Sequence, residues 1–559
     1  MEQATSATPV TSTSAAALPQ APLLPRLSPG RWLTGWRLAA FVVSLVTLVP
    51  LVVVLSSFLY PQSDVWEHLS RHVLPDILLN TFWLSLGVAA GTGLLGVTLA
   101  WLTAVCDFPG RRFFSWALML PLAMPAYVTA FVAIGLLDFT GPLQTLLREW
   151  FGSSVWFPRI RSRGGVILVM SLALYPYVYL LARNAFLTQG RRALEAGQSL
   201  GLSRRAGFVR IALPMARPWI VAGIMLVLME TLADFGTVAI FNYDTFTTAI
   251  YKAWFGLFSL STASQLASIL VLIVFVVVAI EQHWRGVRRY SGSRSQAATY
   301  RLKPATGWAV SILLALFFGA VFIIPLLQLI VWSASVFAAE FDARYWQFIW
   351  HSVLLSAIAA ALVMGAGLIL SYALRQYRDW PTRFFARLST LGYAIPGTVL
   401  AVGIFIPVAW LDNRLLAWLP FLGNNGSVLK GTLTVMLLAY VARFLAPGFN
   451  AIDSAMQRIT RHQEEAARGM GYYGWNLLAR VHVPLLRGSL FTAALMVFVD
   501  VMKEMPITLM TRPFGWDTLA VRVFEMTSEG QWELAALPAV VLVAVGILPV
   551  VLLTRQSGE

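Results

Sequence analysis

The sequence predicts an all-α polytopic membrane protein with about 12 transmembrane helices, arranged as two parallel six-helix repeats. Three observations predict the helical membrane fold. Of the 559 residues, 58% are hydrophobic and only 12% are charged, which excludes an ordinary soluble domain. Twelve apolar runs reach the roughly 20 residues that a helix needs to cross the hydrocarbon. Landmark residues recur 270 or 271 positions apart, with six apolar runs in each copy.

The apolar runs form two groups of six. They lie at about 38–59, 78–104, 114–138, 164–187, 218–241 and 264–283, and then at about 307–332, 349–374, 388–411, 429–447, 489–511 and 532–553. Because each half has an even number of spans, the halves have the same orientation and their repeat axis lies along the membrane normal. A central pathway between the halves is therefore expected.

Four regions follow from this pattern. Residues 1–35 are rich in Ala, Thr, Ser and Pro and are predicted to be a disordered cytoplasmic tail. Residues 36–284 form the first half with six spans, 285–306 a cytoplasmic basic linker and 307–555 the second half with six spans. Most of the 41 Lys and Arg residues fall in loops on one side of the predicted spans. The positive-inside rule then places both termini in the cytoplasm. The same basic loops account for the net charge of +15, so this charge does not indicate a nucleic-acid partner.

A loop with a fixed internal spacing occurs once in each half. Glu195 is followed six residues later by Gly201 and 19 residues later by Pro214, and the copy begins at Glu465 with the same spacing. A segment rich in Glu and Ala favours a helix, and the glycine suits a helix end with positive φ. We therefore expect a short helix, a turn and a second short helix at the cytoplasmic surface, where they fit a cleft in a partner.

These two loops resemble the Glu-Ala-Ala loop of bacterial ABC importer permeases. The resemblance implies coupling to two copies of a cytoplasmic ABC ATPase, which would carry the ATP and Mg. It also implies a type I ABC importer-like fold and a bacterial inner-membrane location. Gly197 stands where that family often has Ala. The residues implied in coupling are Glu195, Ala196, Gly197, Gly201, Pro214, Glu465, Ala466, Ala467, Gly471 and Pro484.

Three segments resemble the ferric-iron branch of these permeases: 228–237, 245–251 and 514–521. This resemblance implies ferric iron as the cargo, delivered by a periplasmic ferric-iron-binding protein. An organic cation such as thiamine or a polyamine is the alternative cargo. An ion-coupled secondary transporter is the alternative class of protein, although the paired loops speak against it.

Four carboxylates lie inside predicted spans: Glu230, Asp234, Asp500 and Glu504. A charged group within a membrane is costly, so each is a candidate functional residue. The i, i+4 spacing places the two acids of each pair on one helix face. We expect all four to line the substrate pathway and to contact a hard metal cation transiently. In the alternative interpretation, Lys503 and nearby arginines neutralise them as static pairs that hold the halves together.

The sequence contains no G-x-x-x-x-G-K-[ST] motif, no H-E-x-x-H motif and only one cysteine, Cys106. It is therefore predicted to be a translocation subunit rather than an enzyme, with no cofactor of its own. ATP hydrolysis is assigned to the partner subunit.

Overall fold

The computed structural model describes residues 35–59, 63–152, 156–190, 197, 199, 201–285, 300–377, 379–418 and 428–556. This part of the chain contains 12 helices that are long and apolar enough to cross a membrane. The predicted all-α membrane fold is therefore confirmed. Residues 1–34 of the predicted tail, residues 286–299 of the basic linker and the first residues of the coupling loop at Glu195 lie outside the described residues.

The helices of the first half are α1 (Gly35–Ser56), α2 (Ser63–His72), α3 (Leu74–Val105), α4 (Arg111–Ala117), α5 (Ala126–Leu137), α6 (Pro142–Phe151), α7 (Arg163–Ala185), α8 (Arg204–Gly207), α9 (Leu213–Ala233), α10 (Gly236–Ile240), α11 (Phe246–Tyr251) and α12 (Leu260–Arg285). Helices α3, α7 and α9 pack on one another as the centre of this half.

The helices of the second half are α13 (Pro304–Phe318), α14 (Ile324–Glu340), α15 (Ala343–Gln376), α16 (Trp380–Thr390), α17 (Gly397–Trp418), α18 (Leu433–Met456), α19 (Arg461–Gly469), α20 (Gly474–Leu477), α21 (Val483–Lys503), α22 (Pro506–Thr511), α23 (Leu519–Ser528) and α24 (Trp532–Gln556). Helices α15, α18 and α21 form the equivalent centre. Two short strands, β1 (Cys106–Asp107) and β2 (Tyr300–Arg301), pair in parallel where the second half begins.

The first span of each half packs against the other half. This span is α1 in the first half, and in the second half it runs from α13 into α14. Helix α1 lies on α15, α16 and α17, whereas α14 lies on α5 of the first half and on α24. Gly135 of α5 leaves space for the Trp332 ring of α14, which a β-carbon at that position would meet at 2.5 Å. This exchange joins the halves, so apolar clusters contain residues from both of them.

Four predicted spans are interrupted in the structure. The third begins with α4 and a 3-10 turn (Leu120–Ala123), and α5 starts only after Pro125. The ninth has the equivalent break, with a 3-10 turn (Leu391–Ala394) between α16 and α17. The fifth and eleventh end as α-helices at Ala233 and Lys503, and each continues as the short helix α10 or α22. The sequence analysis treated each of the four as one apolar run. Non-helical backbone at membrane depth is tolerated where it is buried in protein or lines a cavity.

Candidate translocation pathway and coupling segments

The breaks in the fifth and eleventh spans occur at equivalent residues. Asp234 follows α9 with φ −67° and ψ 129°, and Glu504 follows α21 with φ −71° and ψ 118°. Both residues therefore have extended backbone, and the next helix starts two residues later. The two breaks meet at the centre of the protein, because a β-carbon on Gly236 would lie 2.7 Å from the methyl group of Met505.

The side chains of Asp234 and Glu504 satisfy the backbone of the short helices that follow them. Asp234 accepts hydrogen bonds from the Thr237 hydroxyl at 2.9 Å and from the Val238 amide at 3.2 Å. Glu504 accepts one from the Ile507 amide at 2.9 Å. Free amides at a helix start need such partners, especially where water is scarce.

The expectation that both acids of a pair share one helix face is therefore wrong. Glu230 and Asp500 lie within the helices α9 and α21, but Asp234 and Glu504 lie just beyond the helix ends. The i, i+4 relation holds only along a continuous helix. The outer acid of each pair instead caps the next helix.

All four acids nevertheless line a central cavity of about 210 Å³ between the halves. A second cavity of about 360 Å³ shares Glu230, Asp500 and Glu504 with it and continues past Met496 of α21. Asp500 is exposed and Glu230 is half-buried, although helices surround both of them. Their exposed surface faces these cavities.

Two cations from the second half line the same cavities. Lys503 donates to the Leu122 carbonyl at 3.3 Å, and Arg443 donates to the Ile395 carbonyl at 2.8 Å. In the described part of the chain, no ion pair within 4.0 Å joins either cation to the four carboxylates. The static pairing offered as an alternative is therefore absent from this conformation.

The sequence analysis did not identify Arg443 or Tyr393 as pathway residues. Tyr393 donates a hydrogen bond to Glu230 at 3.2 Å across the two halves. Arg443 follows Tyr440 in a span of high hydropathy, and an intramembrane Arg is a signal of the same kind as the four acids. Tyr127 and Tyr177 also line the smaller cavity.

Among the described residues, no group of three or more His, Cys, Asp or Glu side chains lies close enough to hold a metal ion. The acids Asp234 and Glu504 are turned toward backbone amides instead. Transient contact of all four acids with a metal cation therefore stays a prediction for a transport intermediate.

The second coupling loop has the predicted helix and turn. Glu465, Ala466 and Ala467 lie in α19, whose first turn is closed by a capping box between Thr460 and Gln463. Gly471 follows with φ +87°, the positive value expected of a glycine after a helix.

In the first loop, Glu195 and Ala196 lie outside the described residues. Gly197 is helical and Gly201 has φ +83°, in close agreement with its equivalent Gly471. Pro214 and Pro484 are each the second residue of a membrane α-helix that directly follows a π-helical turn.

The sequence analysis expected the second short helix of each loop to be a separate surface helix. In the structure it is not separate. A π-helical turn, Phe208–Ala212 or Leu478–His482, joins it directly to the membrane helix that follows. Residues Gly474–Lys503 thus form one rod of 30 residues, about 45 Å long at 1.5 Å per residue. This rod connects the coupling turn to Asp500 and the central cavity.

Two equivalent helical halves, a charged cavity between them and a coupling segment at one end of each half together define a membrane transport permease. The chain belongs to the family of binding-protein-dependent transport system inner membrane components. The family model matches residues 93–281 and 365–558, one match in each half. The protein is therefore a fused ABC importer permease, a multi-pass protein of the inner membrane.

Several curated proteins are similar over most of the chain. The Fe(3+)-transport system permease protein FbpB 2 of Haemophilus influenzae is 28% identical over 500 residues, which cover 88% of this chain and 92% of the relative. The putative ferric transport system permease protein FbpB 1 of the same organism is 23% identical, over 79% and 71%. The sulfate transport system permease protein CysT of Synechococcus elongatus is 29% identical over 283 residues. These cover 99% of the CysT chain but only 48% of this one, so CysT corresponds to about one half.

Proposed function

We propose that this permease moves ferric iron across the inner membrane after a periplasmic binding protein delivers it. The observation that carries this proposal is the central cavity, where Glu230 and Asp500 come from equivalent positions of the two halves and, among the described residues, have no ion-pair partner within 4.0 Å. Carboxylate oxygens are the ligands that a hard cation prefers. The ferric-transport names of two similar permeases support the same cargo.

Two cytoplasmic ABC ATPase subunits would provide the energy, one at each coupling segment. Their ATP and Mg are bound outside this chain, which itself carries out no hydrolysis. Glu465 is exposed on α19 and available to a partner, as a docking helix requires. ATP binding would draw the two segments together and rock the halves, because ATP favours one of the two conformations.

The test is uptake by proteoliposomes that contain the permease, its ATPase and its binding protein loaded with ⁵⁵Fe(III). We expect E230Q/D500N to lower iron uptake at least tenfold while ATP hydrolysis stays within about twofold, since only the pathway loses charge. The control E67Q/D76N removes two exposed acids that lie outside the cavity. Unchanged uptake by E230Q/D500N would rule out the acidic pathway.

An organic cation such as thiamine or a polyamine is the second candidate cargo. The observation that favours it is the set of aromatic rings beside the acids, namely Tyr127 and Tyr177 in the smaller cavity and Tyr393 in the larger. Such rings attract organic cations through their faces. Parallel uptake of labelled thiamine and iron distinguishes the two cargoes. The family match favours either importer over an ion-coupled transporter.

A further inference from the structure

The second coupling segment is attached to the membrane helices by a buried cluster of charged and polar side chains. In the second half, Glu464 of α19 is 8% exposed and accepts hydrogen bonds from Arg375 of α15 and from His482. The His482 bond measures 2.8 Å, and that side chain is fully buried. We call Arg375, Glu464 and His482 the Glu464 cluster.

Arg375 extends this cluster to a further membrane helix. Its two terminal nitrogens donate to the carbonyls of Met456 and Ile459, both at 2.6 Å. These carbonyls end α18 and lead into α19. One guanidinium therefore joins α15, the end of α18 and the coupling helix, and His482 adds the π-helical turn before α21. A planar guanidinium fixes the directions of its hydrogen bonds better than the ammonium of a flexible lysine would.

The first half has no such charges at the equivalent positions. Residues 270 or 271 places earlier are Ala104, Leu194 and Ala212, of which Ala104 and Ala212 are fully buried and Leu194 lies outside the described residues. In the described part of the first half, the π-helical turn packs the Phe208 ring on Trp101, with the ring centroids 4.5 Å apart. A buried ion pair with shared hydrogen bonds, as in the Glu464 cluster, is bound to one geometry.

We propose that the Glu464 cluster makes the second coupling helix move as one unit with α15, α18 and α21, so that this unit transmits the ATPase movement to the central cavity. Its three members are positioning residues, because none of them lines the central cavities. The inference rests on the importer mechanism proposed above but is independent of the identity of the cargo.

The experiment replaces the cluster by the apolar set of the first half, as R375A/E464L/H482A. The readout is a cysteine at Met496 in the larger cavity, introduced into a C106S chain and assembled with the ATPase in proteoliposomes. A membrane-impermeant maleimide then reports access to the cavity with and without ATP and vanadate. In the parent chain, nucleotide should change the labelling rate at least fivefold. In the triple variant, we expect less than a twofold change, with assembly and ATP hydrolysis within about twofold of the parent.

The matched control is R37M/D379N, which removes another cytoplasmic ion pair of similar burial. Arg37 and Asp379 lie 2.6 Å apart and their side chains are 16% and 19% exposed, against 14% and 11% for Arg375 and Glu464. This pair does not include the coupling helix, so labelling should keep its full response. An equal loss in the control would contradict a specific role for the cluster.

Two results separate this inference from the importer mechanism itself. If nucleotide changes labelling equally in the parent and in the triple variant, the cluster has no role in transmission. If nucleotide changes nothing even in the parent, the importer mechanism fails first. Should the triple variant not assemble, E464Q replaces it, because it keeps the shape and removes the charge. A full labelling response in E464Q would also overturn the inference.

Discussion

At the scale of single residues, the four intramembrane acids divide into two kinds. All four line a cavity, but the carboxylates of Asp234 and Glu504 also accept hydrogen bonds from the backbone amides of the short helices that follow them. Equivalent positions in the two halves have the same role, so the division follows the repeat. An acid that caps a helix is held by fixed donors, but an acid that faces a cavity is free to meet a mobile cation.

Removal of the capping acids should therefore affect stability before it affects transport. We expect D234A and E504A each to lower the free energy of unfolding by about 1 kcal/mol, because the amides of α10 and α22 lose an acceptor. D234N keeps an acceptor oxygen and should lose less. The measurement is the thermal midpoint of the detergent-purified protein, and equal midpoints for D234A and the parent would contradict the capping role.

Lys503 should oppose occupation of the cavity by a cation. Its ammonium lies beside Asp500 and Glu504 at the surface of both cavities. For a cationic cargo, K503M should raise the initial uptake rate on the order of threefold, since a repulsive charge in a partly buried site is removed. K252M removes an exposed lysine and serves as the control. A fall in uptake with K503M would indicate an anionic cargo, such as a negatively charged chelate.

At the scale of elements, the second coupling helix is held by a buried carboxylate. Burial raises the pKa of Glu464, but hydrogen bonds from Arg375 and His482 outweigh it and hold this pKa below its ordinary value of 4.5. Arg468 and Tyr372 are the other titratable groups near this site. Because the pKa is lower in the folded state, the ionised carboxylate stabilises the attachment of α19 above pH 4.5, and this contribution is lost as the pH falls below that value.

The attachment of α19 should therefore weaken in acid. We expect pepsin to cleave within residues 461–478 faster as the pH falls from 5 to 3, beyond the change seen in a reference peptide. In E464Q, which has no carboxylate to protonate, cleavage should already be fast at pH 5 and should show no such step. A step of the same size in E464Q would assign it to another group.

At the scale of the whole molecule, two features connect distant parts of the protein: one joins the two halves, and the other runs along the second half. The exchange of α1 and α14 holds each half against the other. The continuous rod Gly474–Lys503 connects the coupling turn with the acids of the cavity. A displacement at one end of such a rod must reach the other end, because an α-helix resists compression and bending within this length.

The orientation of the molecule follows from this arrangement and from the positive-inside rule. We expect a cysteine in place of His462, which is exposed on α19, to react with an impermeant thiol reagent only from the cytoplasmic side. A cysteine in place of Phe514, which is fully exposed at the other end of the eleventh span, should react only from the periplasmic side. Labelling with the opposite sidedness would invert the topology and separate the coupling loops from any cytoplasmic ATPase.

The sequence by itself determined the number of spans, the repeat and the two coupling glycines. Apolar length, charge distribution and spacing are local properties, and a helix that crosses hydrocarbon must satisfy its own backbone. The positive φ of Gly201 and Gly471 follows in the same way from their place after a helix.

Only the tertiary structure decided which acids cap a short helix, because that depends on where α9 and α21 end. It also decided that Tyr393 and Arg443 join the acids, since these side chains come from helices far apart in the chain. The Glu464 cluster belongs to the same class of feature. Arg375, Glu464 and His482 are separated by 89 and 18 residues, and only packing of the helices brings them within hydrogen-bonding distance.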